Sequence, residues 1–211
     1  MYNILIVDDH PVIALSVERM ISEHIKQVCF KESTDRKEIL DFAYKKSFDL
    51  LIMDVNIPGI NTSELIKEIL MLNDAQRILV FSTNPEEIHG RHFLKLGAKG
   101  YVNKECNKEE FIKAIHKILE GKVYISGKMA DVLADELVGK GNSGAFNTLS
   151  DREYEVMLQL IDGLSTSEIS NAMNLKPQTI TTYKQNIFTK LGVKNVIELY
   201  EAVKLQMGKI H

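Results

Sequence analysis

The chain has 211 residues, a formal net charge of -3 at pH 7 and a hydrophobic content of 45%. This composition is typical of a globular protein with room for two modest domains, and its charge gives no global sign of nucleic-acid binding. No apolar run approaches the roughly 20 residues that span a bilayer, and the first residues lack the basic segment of a signal peptide. We therefore expect a cytoplasmic protein without a membrane anchor.

The two cysteines, Cys29 and Cys106, stand alone in the sequence and form no CxxC pair. Isolated cysteines suit a reducing compartment, which again favours the cytoplasm. We interpret both as packing residues, not as redox groups or metal ligands.

The first 121 residues alternate short apolar runs with amphipathic stretches. The runs predict strands at residues 4–7, 28–30, 50–53, 78–81 and 100–102. Runs of four or five Ile, Leu and Val residues are typical of strands that are buried on both faces of a parallel sheet. Pro11 suits the first turn of the first helix, and later helices are predicted to begin at Asn61, Asn84 and Asn107. This alternation predicts a doubly wound, five-stranded parallel sheet.

A change in pattern marks the end of this domain. Residues 129–138 predict a further amphipathic helix, and the glycine-rich residues 139–144 predict a flexible connector. Only helical signals follow, including two capping boxes that begin at Ser150 and Ser165. We expect a first domain at 1–121, a linker helix and connector at 122–148, and a small four-helix domain at 149–211.

Polar side chains follow four of the predicted strands. They are Asp8 and Asp9 after the first strand, Asp54 after the third, Ser82 after the fourth and Lys104 after the fifth. The carboxyl ends of parallel strands meet at one edge of the sheet, where ligands bind. Carboxylates held this close repel each other and need a proton or a cation, and oxygen ligands with open positions favour Mg2+. A carboxylate nucleophile, a metal, a hydroxyl and an ammonium form a complete set for accepting a phosphoryl group.

Each of these residues also has a plainer interpretation. An Asp at a strand end is usually a turn or cap residue, Ser82 could cap the next helix, and an exposed lysine is most often a solvated charge. The coincidence of all five at one edge of the sheet favours the functional interpretation.

Residues 1–121 resemble the receiver domain of two-component response regulators, which has a flavodoxin-like fold. The resemblance is carried by VDDHP from Val7, MDVNIPG from Met53, Ser82, and GAKGYVNK ending at Lys104. It implies that Asp54 is the phosphoacceptor, and that Asp8, Asp9, Asp54 and the backbone carbonyl of Asn56 hold Mg2+. It also implies that the Ser82 hydroxyl moves onto the phosphoryl group, that Tyr101 reorients with it, and that Lys104 binds phosphate.

The third helix predicted in the C-terminal domain has two distinct faces. Its apolar stripe contains Ile180, Tyr183, Ile187, Phe188 and Leu191, and its polar stripe contains Gln178, Thr181, Thr182, Gln185 and Thr189. From Lys176 to Lys194 there are four lysines and no acidic residue, which is the local charge that binding to phosphates requires. From composition alone, a solvated helix face is the plainer interpretation.

Residues 149–203 resemble the helix-turn-helix domain of the NarL/LuxR type. The resemblance is carried by LSDREYEV from Leu149, GLS from Gly163 and KLGV from Lys190. It implies that the helix from about residue 177 to 190 enters the major groove of DNA, and that the last helix pairs two copies in a homodimer. By position, the residues expected to face bases are Thr181, Thr182 and Gln185. Those expected to contact phosphates are Lys176, Thr179, Lys184 and Lys190.

Together, the two resemblances imply a transcription factor and not an enzyme. A sensor histidine kinase would phosphorylate Asp54, and the phosphoryl group would control dimerisation and sequence-specific binding to double-stranded DNA. Two alternatives stay open. A phosphohydrolase of the haloacid-dehalogenase type would need an acid two residues after the nucleophile, where this chain has Asn56. A DNA-binding regulator that works without phosphorylation would not need the intact set of acids with Ser82 and Lys104.

Overall fold

The computed structural model describes residues 1–138, 146 and 148–208 of the chain. The chain divides into two compact units, Met1–Ser126 and Gly127–His211, here called the N-terminal and C-terminal units. The connector predicted at 139–144 lies outside the described residues. None of the described helices combines the length and the apolar character needed to cross a bilayer.

The N-terminal unit confirms the predicted doubly wound sheet, with five parallel strands in the order β2-β1-β3-β4-β5. The strands are β1 (Tyr2–Val7), β2 (Val28–Glu32), β3 (Leu50–Met53), β4 (Ile78–Ser82) and β5 (Gly100–Asn103). The helices are α1 (Pro11–Ser22), α2 (Arg36–Tyr44), α3 (Thr62–Leu72), α4 (Glu86–Leu96) and α5 (Lys108–Leu119). Four of the strands extend beyond the predicted apolar runs, because backbone pairing continues where the side chains become polar.

Both faces of the sheet carry an apolar layer. On β1, Ile4 and Ile6 pack into the same cluster as Phe111 of α5, whereas Leu5 and Val7 pack into the cluster on the other face. Alternate side chains of a strand point to opposite faces, so a strand covered on both sides is apolar throughout. All residues of β3 and β4 are buried for this reason.

The edge strand β2 corrects one prediction about the cysteines. Cys29 lies on β2 and is exposed, so the prediction that it is a packing residue is wrong. An edge strand has less cover than a central one, and Cys29 alternates with the half-buried Val28 and Phe30. Cys106 does pack against the core, and its burial, with the nearby charge of Glu110, raises the pKa of its thiol to about 11.

Side-chain caps confirm the predicted starts of α3 and α5. Asn61 Oδ1 accepts a hydrogen bond from the Glu64 backbone N–H at 3.2 Å, and Asn107 Oδ1 accepts one from Glu110 at 2.8 Å. Each cap satisfies a backbone donor that the first helical turn leaves without a partner inside the helix.

The start of α4 differs from the prediction. Pro85 occupies the N-cap position and contributes no side-chain cap. The prediction that Asn84 is the N-cap of this helix is therefore wrong, because Pro85 occupies that position. Asn84 Oδ1 accepts a hydrogen bond from Asn56 Nδ2 at 3.1 Å, which joins two loops.

The described part of the C-terminal unit is helical, as predicted. Its helices are α6 (Gly127–Val138), α7 (Asp151–Ile161), α8 (Thr166–Ala172), α9 (Pro177–Leu191) and α10 (Val196–Gly208). The capping boxes predicted at Ser150 and Ser165 are both formed. In the turn between α8 and α9, Asn174 has a φ of 51°, a left-handed conformation that asparagine tolerates better than most residues.

A buried histidine of α4 makes the stability of the N-terminal unit depend on pH. His89 is 1% exposed, and its burial, with a smaller effect of the charge of His92, lowers its pKa from 6.5 to about 3. Between these two values the unfolded chain binds a proton that the folded chain does not. The contribution of His89 to stability is therefore complete above pH 6.5 and decreases as the pH falls towards 3.

We expect His89→Gln to reduce this pH dependence. Between pH 7 and pH 5, titration of His89 should cost the wild type about 2 kcal/mol of unfolding free energy, and the variant should lack that loss. Urea unfolding at the two pH values measures the difference, with the exposed His24→Gln as the matched control. An unchanged pH dependence in His89→Gln would contradict the burial of a neutral imidazole at this position.

Candidate functional site

An acidic cluster lies at the carboxyl ends of β1 and β3, which is the topological switch point of the sheet. The Asp54 backbone N–H donates to the Val7 carbonyl at 2.9 Å, which holds the first residue after β3 beside the residues that follow β1. The ligand atoms of Asp8, Asp9, His10 and Asp54 all lie within 4.8 Å of one another. The structure thus brings the three predicted acids together.

Lys104 joins two of these acids. Its Nζ donates to Asp8 Oδ2 at 2.7 Å and to Asp54 Oδ2 at 2.9 Å. The Lys104 side chain is 8% exposed, and each of the two carboxylates is 4% exposed. Burial alone would lower the pKa of Lys104, but the hydrogen bonds to Asp8 and Asp54 outweigh it and raise that pKa. A permanent positive charge therefore offsets part of the negative charge of the cluster.

The Asp54 side chain is oriented by its own loop as well as by Lys104. The Val55 backbone N–H donates to Asp54 Oδ1 at 2.7 Å, so both carboxylate oxygens accept a hydrogen bond. Thr62 Oγ1 donates to the Val55 carbonyl at 2.8 Å and thereby fixes the peptide between Val55 and Asn56. The sequence pattern does not single out Thr62, because the first residue of a helix has many possible roles.

His10 is a second residue of the site that the sequence analysis did not select. Its Nδ1 is 2.9 Å from Asp9 Oδ1 and 3.2 Å from Asp8 Oδ1, while 65% of its side chain is exposed. Its position directly after the acidic pair is the signal that could have found it. The Asn56 side chain hydrogen-bonds to Asn84, and the role of its backbone carbonyl as a metal ligand stays a prediction.

The loop after β4 is held by residues of β5. Ser82 is fully buried, and its Oγ accepts a hydrogen bond from the Asn84 N–H at 3.4 Å. The hydroxyl of the buried Tyr101 donates to the Asn84 carbonyl at 2.9 Å. Asn103 Nδ2 donates to the Thr83 carbonyl at 3.2 Å and to the Asn84 carbonyl at 3.1 Å. The predicted residues Ser82 and Tyr101 therefore meet at one loop beside the acidic cluster.

Residues of α9 form the second candidate site. The core side of this helix carries Ile180 and Ile187, which are fully buried. The three residues predicted to face bases, Thr181, Thr182 and Gln185, are exposed. Among the predicted phosphate contacts, Lys176 is exposed, whereas Thr179 and Lys184 are half-buried.

Lys190 makes contacts within its own unit. Its Nζ donates to Glu153 Oε2 at 2.6 Å and to the Thr148 carbonyl at 3.1 Å, which ties the end of α9 to the start of α7. Burial of Glu153 would raise the pKa of its carboxyl, but hydrogen bonds from Lys190 and Ser150 outweigh that effect and lower it. A contact between Lys190 and a phosphate stays a prediction, and Glu153 would compete for the ammonium.

The fold and the acidic cluster at its switch point define a receiver-type α/β domain, here followed by a helical unit. Residues 4–116 match the family model of the response regulator receiver domain. Residues 147–203 match the model of bacterial regulatory proteins of the luxR family. The chain therefore belongs to the two-component response regulators that join a receiver domain to a LuxR-type DNA-binding domain, which confirms the family predicted from its motifs.

Similar proteins match over nearly their whole length. The chain is 27% identical to the Fimbriae Z protein of Escherichia coli (strain K12) over 203 residues, 96% of each chain. It is 28% identical to the response regulator UvrY of the same strain over 201 residues, 94% of this chain and 92% of UvrY.

Solved structures of RcsB are similar to the whole chain. RcsB from Salmonella enterica serovar Typhimurium, bound to promoter rprA with the phosphomimetic BeF3-, has 26% identity and a TM-score of 0.73. That match covers 97% of this chain and 99% of the RcsB chain. A structure of two RcsB dimers bound to two parallel DNAs has 25% identity and a TM-score of 0.68, covering 96% of this chain and 98% of the RcsB chain.

Proposed function

We propose that this response regulator is a transcription factor whose DNA binding is controlled by phosphorylation of Asp54. The observation that carries the proposal is the buried Asp54 carboxylate, whose Oδ2 lies 2.9 Å from Lys104 Nζ within the acidic cluster. The phosphodonor is a sensor histidine kinase, the partner that receiver domains imply. A carboxylate oxygen of Asp54 bonds to phosphorus as the bond between phosphorus and the kinase imidazole breaks.

Mg2+ is the cation that we propose for the acidic cluster. The carboxylates of Asp8, Asp9 and Asp54 supply the hard oxygen donors that Mg2+ prefers, and the carbonyl of Asn56 would add another. When bound, Mg2+ would neutralise charge on the phosphoryl oxygens. The Lys104 ammonium would also neutralise charge on the phosphoryl oxygens, since it already contacts the Asp54 carboxylate.

Ser82 and Tyr101 are proposed to transmit the change. A phosphoryl group adds about two negative charges and three strong acceptor oxygens at Asp54, which attract a hydroxyl and an ammonium. Movement of Ser82 would disturb the loop that Asn84 shares with Tyr101, because the Asn84 N–H and carbonyl bond to those two side chains. Phosphorylation of Asp54 would therefore rearrange this loop.

The C-terminal unit is proposed to bind double-stranded DNA through α9. The supporting facts are the luxR-family match, the exposed polar face of α9, and the RcsB structures with promoter DNA. Thr181, Thr182 and Gln185 would face bases. Lys176, Thr179, Lys184 and Lys190 would contact phosphates.

The protein is proposed to act as a homodimer in the cytoplasm, where the chromosome lies. On α10, 72% of Ile197 and 50% of Tyr200 are exposed, which leaves apolar surface for a second copy. Dimers of RcsB bind DNA, which supports this arrangement. The proposed boundaries are a receiver at 1–121, a linker at 122–148 and a DNA-binding domain at 149–211.

We do not propose an enzymatic activity for the acidic cluster. A hydrolase of the type considered above needs an acid/base two residues after its nucleophile. Asn56 occupies that position, and its side-chain amide donates to Asn84.

Selection of bound DNA from a random library tests the proposed function. The full chain should enrich a two-fold symmetric sequence, and a small acyl-phosphate donor with Mg2+ should increase the enrichment. Enrichment that is equally strong without the donor would support the alternative of a regulator that works without phosphorylation. Failure to enrich any sequence under either condition would contradict the proposal.

A further inference from the structure

We propose that α9 reads adenine–thymine base pairs through Thr181, Thr182 and Gln185, and that no side chain of this helix reads guanine. The inference rests on the proposed DNA binding and adds the class of base pair that the helix recognises. It follows from the hydrogen bonds of the exposed side chains and from the positions of the two lysines of α9.

The face of α9 that points away from the core carries no charge. Residues three or four positions apart share one side of a helix, and this spacing places five side chains opposite the fully buried Ile180 and Ile187. All five are exposed and neutral: Gln178, Thr181, Thr182, Gln185 and Thr189. A groove contact made by this face depends on hydrogen bonding and shape alone.

The threonine hydroxyls can accept hydrogen bonds from a base, but they already donate their own proton to backbone carbonyls of α9. Thr181 Oγ1 donates to the Pro177 carbonyl at 3.0 Å, and Thr182 Oγ1 donates to the Gln178 carbonyl at 3.0 Å. Each side chain therefore offers acceptor lone pairs and a methyl group. In the major groove adenine and cytosine both show an amino donor, but only thymine shows a methyl group, so an acceptor and a methyl group on one side chain together match an adenine–thymine pair.

The chemistry of Gln185 and the contacts of the two lysines also favour adenine–thymine pairs. A glutamine amide is suited to a bidentate contact with adenine, whereas guanine is read mainly by arginine or lysine. The sequence of α9 contains no arginine. Lys184 Nζ lies 5.6 Å from the Phe188 ring centroid, and Lys190 Nζ is paired with Glu153. Both ammonium groups therefore already have partners away from the polar face.

The library selection described above, repeated with α9 variants of the full chain, tests this inference. Thr181→Ala and Gln185→Ala should each abolish the preference at one adenine–thymine position of every half-site. Gln185→Arg should change the preferred base at its position from adenine to guanine, with a preference for guanine of about 5- to 150-fold, the discrimination of one good bidentate contact. Thr182→Val should keep the thymine preference that the methyl group provides, and Thr182→Ser should weaken it.

Thr189→Val is the matched control. Thr189 lies on the same face and donates to the Gln185 carbonyl at 2.9 Å, but it is near the C-terminal end of the helix. The residues that reach base edges lie towards the N-terminal end, so this variant should select the wild-type sequence. The inference would be overturned if the wild type selects guanine–cytosine pairs at the positions where Thr181→Ala or Gln185→Ala loses its base preference. The proposed DNA binding would still stand in that case. Failure to enrich any DNA would overturn the inference together with the proposed function.

Discussion

The Asp54→Ala variant is expected to take up no phosphoryl group from a small acyl-phosphate donor and Mg2+, whereas the wild type becomes labelled. Asp54 is the acid that is both buried and contacted by the Lys104 ammonium and the Val55 N–H. Removal of its carboxylate removes the nucleophile itself, so the expected effect is complete loss. Intact-protein mass spectrometry, with and without the donor, measures the added mass.

Asp49→Asn is the matched control for this experiment. Asp49 directly precedes the amino end of β3, and its Oδ2 accepts a hydrogen bond from the Asn3 N–H at 2.8 Å. The variant changes an acid at the amino end of the strand that Asp54 follows at its carboxyl end. It should be labelled like the wild type. Persistent labelling of Asp54→Ala would show that another group, such as Asp8 or Asp9, is the acceptor.

Lys104→Met is expected to destabilise the N-terminal unit by about 3 kcal/mol in the absence of Mg2+. The change removes the ammonium that lies between the buried carboxylates of Asp8 and Asp54 and leaves their repulsion without compensation. Added Mg2+ should recover much of this loss, because a cation bound to the folded state stabilises it by mass action. Urea unfolding with EDTA or with Mg2+ measures both effects.

Lys108→Met is the control for the loss of an exposed ion pair. Lys108 contacts Glu23, and more than two fifths of each side chain is exposed, so the variant should lose much less unfolding free energy than Lys104→Met and gain nothing from Mg2+. Equal losses in Lys104→Met and Lys108→Met would show that Lys104 does not compensate a buried cluster. A Lys104→Met variant that Mg2+ does not stabilise would contradict the cation site.

The sequence predicts the acidic cluster well because the geometry of a parallel sheet brings residues at neighbouring strand ends together. The apolar runs before Asp8 and Asp54 are strands, adjacent parallel strands end at one edge, and the two acids therefore meet. The same reasoning places Lys104 at that edge but does not predict its two hydrogen bonds. Those depend on the side-chain conformation of a lysine that lies 96 residues from Asp8 and 50 from Asp54 in sequence.

Other features depend on tertiary contacts that no local pattern contains. Asn84 has the sequence of a helix cap, but Pro85 occupies the N-cap, and Asn84 Oδ1 accepts a hydrogen bond from Asn56, which is 28 residues away. Lys190 has the composition of a phosphate contact, but it pairs with Glu153 across two helices. Cys29 belongs to an apolar run, but the run forms an edge strand, and strand order cannot be read from the run itself.

The affinity of the full chain for its selected DNA, measured with and without a phosphodonor, tests the central claim most directly. Wild-type protein with Mg2+ and the donor should bind about 5- to 150-fold more tightly than without the donor, the usual range of coupling between two sites. Asp54→Ala should bind with the same affinity under both conditions. Equal affinities of the wild type with and without the donor would contradict control of DNA binding by phosphorylation of Asp54.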